Sequence, residues 1–381
     1  MKGKHTYCIA LFTALLLCGF ATAATQVVEG ESWTGAKYLL AVPDNWNGDL
    51  VVYAHGYVDR GAPLVVPTEQ DEAGELRDLL LDSGYAVACS SYSMNGFAVR
   101  EGTVDTLALN HTFKKQFGKP ERTFLVGHSL GGLVCVRLAE CLPNHYDGVL
   151  TVAGMIGGSK VEIDYVANVR ILFEASYPGV LPGAIDYVPP GLDLMTNVVF
   201  PVIGAISANP TNAIAISMMD QTPVPWTSGE ELVGSFAYTL GFYYRGHTDL
   251  LLRTGTPTFF NNEELVYTSG FLPQDLLDGI NYYAPRFSST RKAEKYLRRN
   301  YESTGRLRIP MLGIHNRRDP VVPIFHQSVY AEKVAKRGHP DLLVQRAIER
   351  HGHTDNFSAA EVFGAFEELI DWVDTGIAPT P

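Results

Sequence analysis

The segment 122–132, Arg-Thr-Phe-Leu-Val-Gly-His-Ser-Leu-Gly-Gly, joins a short apolar run to a helix-forming stretch through the pattern Gly-x-Ser-x-Gly. A strand that turns into a helix within so few residues forces the serine into strained dihedral angles and crowds its neighbours. Gly127 and Gly131 relieve this crowding because neither carries a Cβ atom. The spacing therefore predicts that Ser129 stands at the end of a sheet strand as a nucleophile. The N–H of Leu130, at the helix N-terminus, is predicted to face an oxyanion.

The rest of the chain alternates strand-like and helix-like segments from residue 37 onward. The predicted strands are 38–42, 49–54, 85–90, 123–127, 148–153, 308–314 and 342–348. The predicted helices are 72–83, 102–117, 130–141, 325–337 and 359–374. This alternation predicts an α/β fold, with a mostly parallel, doubly wound sheet and helices on both faces.

One long interval interrupts the alternation. About 150 residues lack clear strand patterns, far more than a crossover between strands requires. We predict a hydrolase-like core formed by residues 24–157 and 306–381, and a helical lid or cap inserted at 158–305. The most apolar part of the insertion, 197–219, is broken by two prolines, so it is predicted to form the core of the cap, a wall of the substrate pocket, or both.

A serine nucleophile needs a base within hydrogen-bond reach and an acid that orients the base. Asp319 follows the predicted strand 308–314, and His351 and His353 follow the predicted strand 342–348. Active-site groups of open α/β sheets lie at the carboxyl ends of the strands. The sequence therefore predicts that an aspartate and one of two histidines meet Ser129 at one sheet edge.

The order Ser129, Asp319, His353 matches the α/β-hydrolase arrangement rather than that of chymotrypsin or subtilisin. Four motifs appear in this order: Val51-Val52-Tyr53-Ala54-His55-Gly56-Tyr57, Gly127-His128-Ser129-Leu130-Gly131, Asp319-Pro320-Val321-Val322-Pro323 and Gly352-His353. With these motifs the chain resembles the α/β-hydrolase superfamily over residues 37–155 and 306–375.

The resemblance implies particular site residues. In similar hydrolases the base follows a glycine in the last loop, which favours His353 over His351. The loop after the strand 49–54 carries the second oxyanion donor, and His55-Gly56-Tyr57 assigns that role to the N–H of Tyr57. The His-x-His pair lacks a third ligand at a recognisable spacing, so we predict no metal and no cofactor.

The N-terminus has the order of a secretory signal peptide. Lys2 and Lys4 precede an apolar run, 9–20, and Ala21-Thr22-Ala23 supplies the small residues of a cleavage site. We predict a signal peptide at 1–23 and a secreted or periplasmic mature chain. The apolar run is short for a stable membrane anchor. Lipid attachment at Cys18 is the alternative, which the large Leu17 before it disfavours.

The composition limits the partners. The net charge of the full chain is −11, and loss of the two lysines of the leader makes it −13. Such an acidic chain is a poor partner for nucleic acid or anionic membranes. Three cysteines remain after the leader, and we expect buried thiols, because Cys135 and Cys141 point to different faces of one helix.

These observations favour a secreted serine esterase or lipase that cleaves hydrophobic or aromatic esters, small or polymeric, through an acyl-enzyme. The alternative is a peptidase with the same fold, which needs an acidic anchor for the substrate amine; the candidates are Glu162, Asp164, Glu174 and Asp186. The resemblance also extends to tannases and feruloyl esterases, although His128 and Thr354 stand where that group commonly carries paired cysteines. A binding module that has lost catalysis is a further alternative. The oligomeric state stays open.

Overall fold

The computed structural model describes residues 25–67 and 72–381. The predicted signal peptide, 1–23, lies outside the described residues, as do Cys8 and Cys18. The export of the chain therefore stays a prediction.

The described residues form an eight-stranded sheet. The strands are β1 (Thr25–Glu31), β2 (Lys37–Pro43), β3 (Leu50–Ala54), β4 (Ala86–Ser90), β5 (Thr123–His128), β6 (Gly148–Val152), β7 (Met311–Arg318) and β8 (Leu343–His351). Their spatial order is β1-β2-β4-β3-β5-β6-β7-β8. Strand β2 runs antiparallel to β1 and β4, whereas all other neighbours are parallel. The predicted mostly parallel sheet is thus confirmed.

Strand β1 was not among the predicted strands. Its sequence, Thr-Gln-Val-Val-Glu-Gly-Glu, is mainly polar and exposed because it pairs with β2 on one side only. A polar edge strand has no buried face and hence no apolar alternation by which the sequence could reveal it.

The described helices cover both faces of the sheet. They are α1 (Glu72–Asp82), α2 (Val99–Phe117), α3 (Leu130–Cys141), α4 (Ser159–Ser176), α5 (Phe200–Ala208), α6 (Pro210–Ser217), α7 (Gly229–Thr254), α8 (Gln274–Tyr283), α9 (Arg291–Asn300), α10 (Phe325–Ala335) and α11 (Ala359–Thr375). Side chains of α1 and α11 form the core on one face, whereas α2, α3 and α10 pack on the other.

The segment 158–305, which we call the helical insertion, contains α4 to α9 and contributes no strand to the sheet. Its apolar side chains, such as Val166 and Phe236, belong to the same buried cluster as Leu133 of α3. Among the described residues no single helix is long and apolar enough to span a membrane, but the bent pair Met195–Ala208 and Pro210–Ser217 meets that test when taken together.

The three cysteines in the described part of the chain are free. Cys89 and Cys135 are buried, as expected. Cys141 is exposed, so our expectation of a buried thiol is wrong at that position. It is the last residue of α3, where the helix leaves the core.

Candidate active site

Ser129 occupies a strained turn between β5 and α3. Its backbone has φ 52° and ψ −121°, a conformation that non-glycine residues rarely adopt. The N–H of Ser129 donates to Val152 O at 3.0 Å, and its carbonyl accepts from the N–H of Met155 at 3.0 Å. Hydrogen bonds to the end of β6 and to the loop after it hold the strained residue in place at the carboxyl end of β5.

The flanking glycines are required by close backbone contacts. A Cβ atom on Gly127 would lie 2.6 Å from the carbonyl carbon of Gly131, and one on Gly131 would lie 2.6 Å from the carbonyl carbon of Ala54. Real Cβ atoms essentially never approach other atoms below 3.0 Å. The Gly-x-Ser-x-Gly spacing is therefore what lets α3 start directly against the ends of β3 and β5.

Asp319 lies directly after β7 and is fully buried. Its Oδ1 accepts hydrogen bonds from the N–H groups of Val321 and Val322, at 2.8 and 2.9 Å. Burial alone would raise the pKa of Asp319, but the nearby charge of His353 and hydrogen bonds from His315 and His353 hold it well below its ordinary value. This carboxylate therefore stays ionised at neutral pH.

The structure pairs Asp319 with His353. The distance from His353 Nδ1 to Asp319 Oδ2 is 2.6 Å, which leaves Nε2 as the ring nitrogen available to a substrate or nucleophile. His351 has a different partner, since its Nε2 lies 2.9 Å from the hydroxyl of Ser235 on α7. The two histidines thus have separate partners, and no cluster of three metal-ligating side chains occurs among the described residues.

Two buried polar residues of β7 support this pair and were not predicted. His315 Nε2 lies 2.7 Å from Val322 O and 3.4 Å from Asp319 Oδ2. The side-chain amide of Asn316 donates to the carbonyls of Gly352 and His353 at 2.9 and 3.1 Å. In the sequence, these two residues begin the polar run His-Asn-Arg-Arg after an apolar stretch. That run indicated that the strand ends at residue 314, and it gave no sign that His315 and Asn316 are buried beside Asp319 and His353.

A cavity of about 1070 Å³ opens above the sheet edge, and Ser129 and His353 both line it. No hydrogen bond joins the Ser129 hydroxyl to the imidazole of His353 within the part of the chain that the structure describes. Such bonds are often long before a substrate binds. Most of the other lining side chains are apolar, among them Val58, Val65, Leu194, Met195, Val199, Ile203, Ala237, Phe242 and Val321.

The predicted oxyanion donors lie beside Ser129. A Cβ atom on Gly56 would be 3.2 Å from Ser129 Cβ, so the Gly56–Tyr57 backbone passes next to Ser129. Leu130 is the first residue of α3, directly after Ser129. Among the described residues, neither the Leu130 N–H nor the Tyr57 N–H donates a hydrogen bond to another group. Both N–H groups are consequently available to a ligand.

His128, which precedes Ser129, also lines the cavity. Burial, together with the nearby charge of His353, lowers the pKa of His128 to about 4. The ring is therefore neutral at pH 7, and it adds no positive charge next to His353.

Comparisons with known proteins agree with this architecture. The feruloyl esterase B of Aspergillus oryzae superposes with a TM-score of 0.51 at 14% identity, over 93% of this chain and 81% of the esterase. The chain has the α/β-hydrolase fold. Another esterase from the same organism gives a TM-score of 0.50 at 14% identity, over 93% and 80% of the two chains.

A curated protein is also similar to this chain in sequence. The o-phthalyl amidase of Xanthobacter agilis is 22% identical over 412 residues, which cover 92% of this chain and 88% of the amidase. No family model matches the chain.

Helix α7 is hydrogen-bonded to the loops around the candidate site along its length. Thr239 Oγ1 donates to Pro320 O at 2.7 Å, next to Asp319, and Ser235 bonds His351 as described above. Further along, Arg245 O accepts from the hydroxyl of Tyr57 at 3.0 Å. Near the end of the helix, a carboxylate oxygen of Asp249 accepts from the N–H of Phe97 at 2.7 Å. These bonds make α7 a fixed wall of the cavity.

Proposed function

We propose that this chain is a serine hydrolase that cleaves carboxylic esters through an acyl-enzyme. The observation that carries the proposal is the arrangement at one sheet edge. Ser129 stands on a strained turn, His353 is oriented by a buried carboxylate, and both line one cavity. This combination of nucleophile, base and orienting acid is the minimum that acyl transfer requires.

The geometry supports the following cycle. The hydroxyl of Ser129 attacks the ester carbonyl while His353 Nε2 takes the hydroxyl proton. The N–H groups of Leu130 and Tyr57 stabilise the oxyanion of the tetrahedral intermediate. His353 then gives the proton to the leaving alcohol. Water, activated by the same imidazole, attacks the acyl-enzyme and releases the acid. Asp319 stays ionised throughout and holds the imidazole in the productive tautomer.

The cavity supports an ester with apolar or aromatic parts. Its volume of about 1070 Å³ admits a substrate of drug size, and its walls are mostly apolar. The helical insertion supplies much of this wall, through Leu194, Met195, Val199, Ile203, Ala237 and Phe242. We therefore propose 158–305 as the cap that determines which acyl and alcohol parts fit.

Amide cleavage is the second candidate, because the relative over most of the chain is named an amidase. A peptidase of this fold would need a carboxylate for the substrate amine. Of the four predicted anchors, Glu162, Asp164, Glu174 and Asp186, none lines the cavity; in the described residues the only carboxylate there is Asp355. An aminopeptidase would therefore depend on Asp355.

A paired activity assay tests the proposal. The protein is given p-nitrophenyl esters of rising chain length, a p-nitrophenyl ester of an aromatic acid, and the matching p-nitroanilides with and without an α-amino group. We expect faster ester turnover, abolished by Ser129→Ala. Faster turnover of the anilides would show that amides are the preferred substrates. Activity that survives Ser129→Ala would overturn the proposal that Ser129 is the nucleophile.

Two histidine variants supply the matched control. His353→Gln removes the proposed base, and a loss of at least about 1,000-fold in kcat is expected. His351→Gln changes the same residue type two positions away, and we expect kcat to stay within about tenfold of the parent. Equal losses in the two variants would show that the last loop matters only for folding.

We also propose that residues 1–23 are removed and that the mature chain is exported. N-terminal sequencing of protein recovered from the periplasm or the medium should start at Ala24. Active protein confined to the cytoplasm, or exported protein that begins at Met1, would contradict this proposal.

A further inference from the structure

One side of helix α7 faces the cavity with helical spacing. The residues on this face are Gly234, Ala237, Tyr238, Gly241, Phe242 and Arg245. Consecutive residues of this set are three or one positions apart, which places all six on one face of the helix. Five of the six are small or aromatic, so Arg245 is an isolated cation at one end of an uncharged wall.

Few other charges line this cavity. Among the described lining residues, Arg245 is the only arginine or lysine and Asp355 is the only aspartate or glutamate. Asp355 lies two residues after His353 in the core, whereas Arg245 belongs to the helical insertion. The two opposite charges are therefore contributed by the core and by the insertion.

Among the residues that the structure describes, the guanidinium of Arg245 has only a weak ion-pair partner. Its Nε lies 3.9 Å from Asp59 Oδ1, and the two side chains are 51% and 53% exposed. An exposed pair at this distance contributes little. By contrast, Arg253, two turns further along α7, is buried and bonds Asp249 at 2.7 Å and Glu101 at 2.8 Å. The terminal nitrogens of Arg245 remain available to a ligand.

The backbone that carries Arg245 is fixed relative to the nucleophile. Tyr57 donates its hydroxyl to Arg245 O at 3.0 Å, and the Gly56–Tyr57 backbone lies against Ser129. The backbone carbonyl of Arg245 is thus separated from the Gly56–Tyr57 backbone by about one tyrosine side chain, and Arg245 and Ser129 line the same cavity. A ligand bound at the guanidinium would have its other end near the nucleophile.

Arginine presents parallel N–H groups that match the two oxygens of a carboxylate. We propose that Arg245 binds a carboxylate of the substrate, and that the preferred substrate is an anionic ester whose acid group lies across the cavity from the scissile carbonyl. This inference rests on the proposed function. In this inference the apolar walls of the cavity hold the uncharged part of the substrate, and Arg245 selects substrates that carry a carboxylate.

The test compares charged and neutral probes of matched size. One pair is the p-nitrophenyl half-ester of a straight-chain dicarboxylic acid and the p-nitrophenyl ester of the monocarboxylic acid of equal length, with chains of several lengths. The second pair is a carboxy-substituted phenyl acetate and phenyl acetate itself. These pairs place the acid on the acyl part and on the leaving group, respectively.

For at least one pair, Arg245→Gln should lower kcat/KM of the anionic probe by about 10- to 100-fold, the range for a hydrogen bond to a charged group. The neutral probe should change by less than about threefold, and Arg245→Lys should restore part of the loss. The advantage of the anionic probe should also shrink as the salt concentration rises.

Two further variants control for charge in general. Asp59→Asn removes the weak partner of Arg245 and should leave anionic turnover unchanged or higher. Asp355→Asn removes the other lining charge and should not reproduce the loss. Equal effects of Arg245→Gln on charged and neutral probes, or no effect on either pair, would overturn the inference. Failure of the proposed function is distinct, since it would show as neutral-ester turnover that survives Ser129→Ala.

Discussion

Replacing Gly131 by alanine perturbs the contact on which the elbow depends. The added Cβ would lie 2.6 Å from the carbonyl carbon of Ala54 and 2.6 Å from His55 O, and closer still to Ala54 O. Ordinary van der Waals contact begins at 3.4 Å, so α3 and the end of β3 must separate by about 0.8 Å or more. Leu130 and Gly56 lie on the two sides of this contact, so the proposed oxyanion donors separate as well.

This displacement has two measurable consequences. A misplacement of about 1 Å in an active site can cost about a hundredfold in rate. Forcing one extra carbon into a packed region typically destabilises a protein by about 1–3 kcal/mol. We therefore expect Gly131→Ala to lower kcat/KM by at least about a hundredfold and to reduce the free energy of unfolding within that range.

The assay measures ester hydrolysis and urea unfolding of the same preparations. Gly364→Ala is the matched control, because Gly364 lies inside α11 and a Cβ there would meet no atom within 4 Å. We expect this control to keep full activity and to gain about 0.4–1 kcal/mol in stability. If Gly131→Ala retains activity within threefold of the parent, the close contact does not position the site and the reasoning fails.

Three further predictions concern buried polar groups. Asp319→Asn should lower kcat by about 10,000-fold without loss of the fold, as judged by circular dichroism, because an amide favours the wrong imidazole tautomer; a loss below tenfold would contradict this. Glu162 and His326 are joined at 3.0 Å, and burial raises the pKa of Glu162 well above its ordinary 4.5 and lowers the pKa of His326 from 6.5 to about 3. Above pH 6.5 the folded pair therefore keeps one proton, whereas the same two side chains keep none in the unfolded chain. The contribution of this pair to the unfolding free energy should therefore stay level between pH 4.5 and 6.5 and fall above pH 6.5, by at most about 1.4 kcal/mol per pH unit. Glu162→Gln should remove this fall, and equal slopes above pH 6.5 in urea titrations of the two proteins would refute the assignment. A double-mutant cycle of His351→Phe and Ser235→Ala should give a coupling of about 0.5–1.5 kcal/mol, and additive effects would show that their contact is not stabilising.

The core of the fold could be predicted because its signals are local. Helix α3 begins and ends at the predicted residues, 130 and 141, since the elbow glycines and the apolar helix leave little freedom. The predicted parallel strands coincide with observed ones because a strand buried on both faces requires a continuous apolar run. Ser129 and Asp319 follow such strands and His353 follows the edge strand β8, so the meeting of Asp319 and His353 at 2.6 Å was accessible from the sequence.

The remaining features depend on contacts between distant segments. Strand β7 continues to Arg318, four residues past the predicted end, because His315 and Asn316 find hydrogen-bond partners in other loops. A prediction from apolar periodicity cannot identify polar residues that are buried and hydrogen-bonded. In the same way, only the folded insertion shows that Arg245 faces the cavity.

The bonds along α7 limit how substrates enter. Thr239, Ser235 and Tyr57 connect this helix to the loop of the proposed acid, to the end of β8 before the proposed base, and to the proposed oxyanion donors. The helix therefore cannot move outward without displacing the proposed catalytic groups. Molecules must therefore pass beside α7 rather than beneath it. Changes in substrate range should then come from exchanging side chains on its inner face, not from loosening its ends.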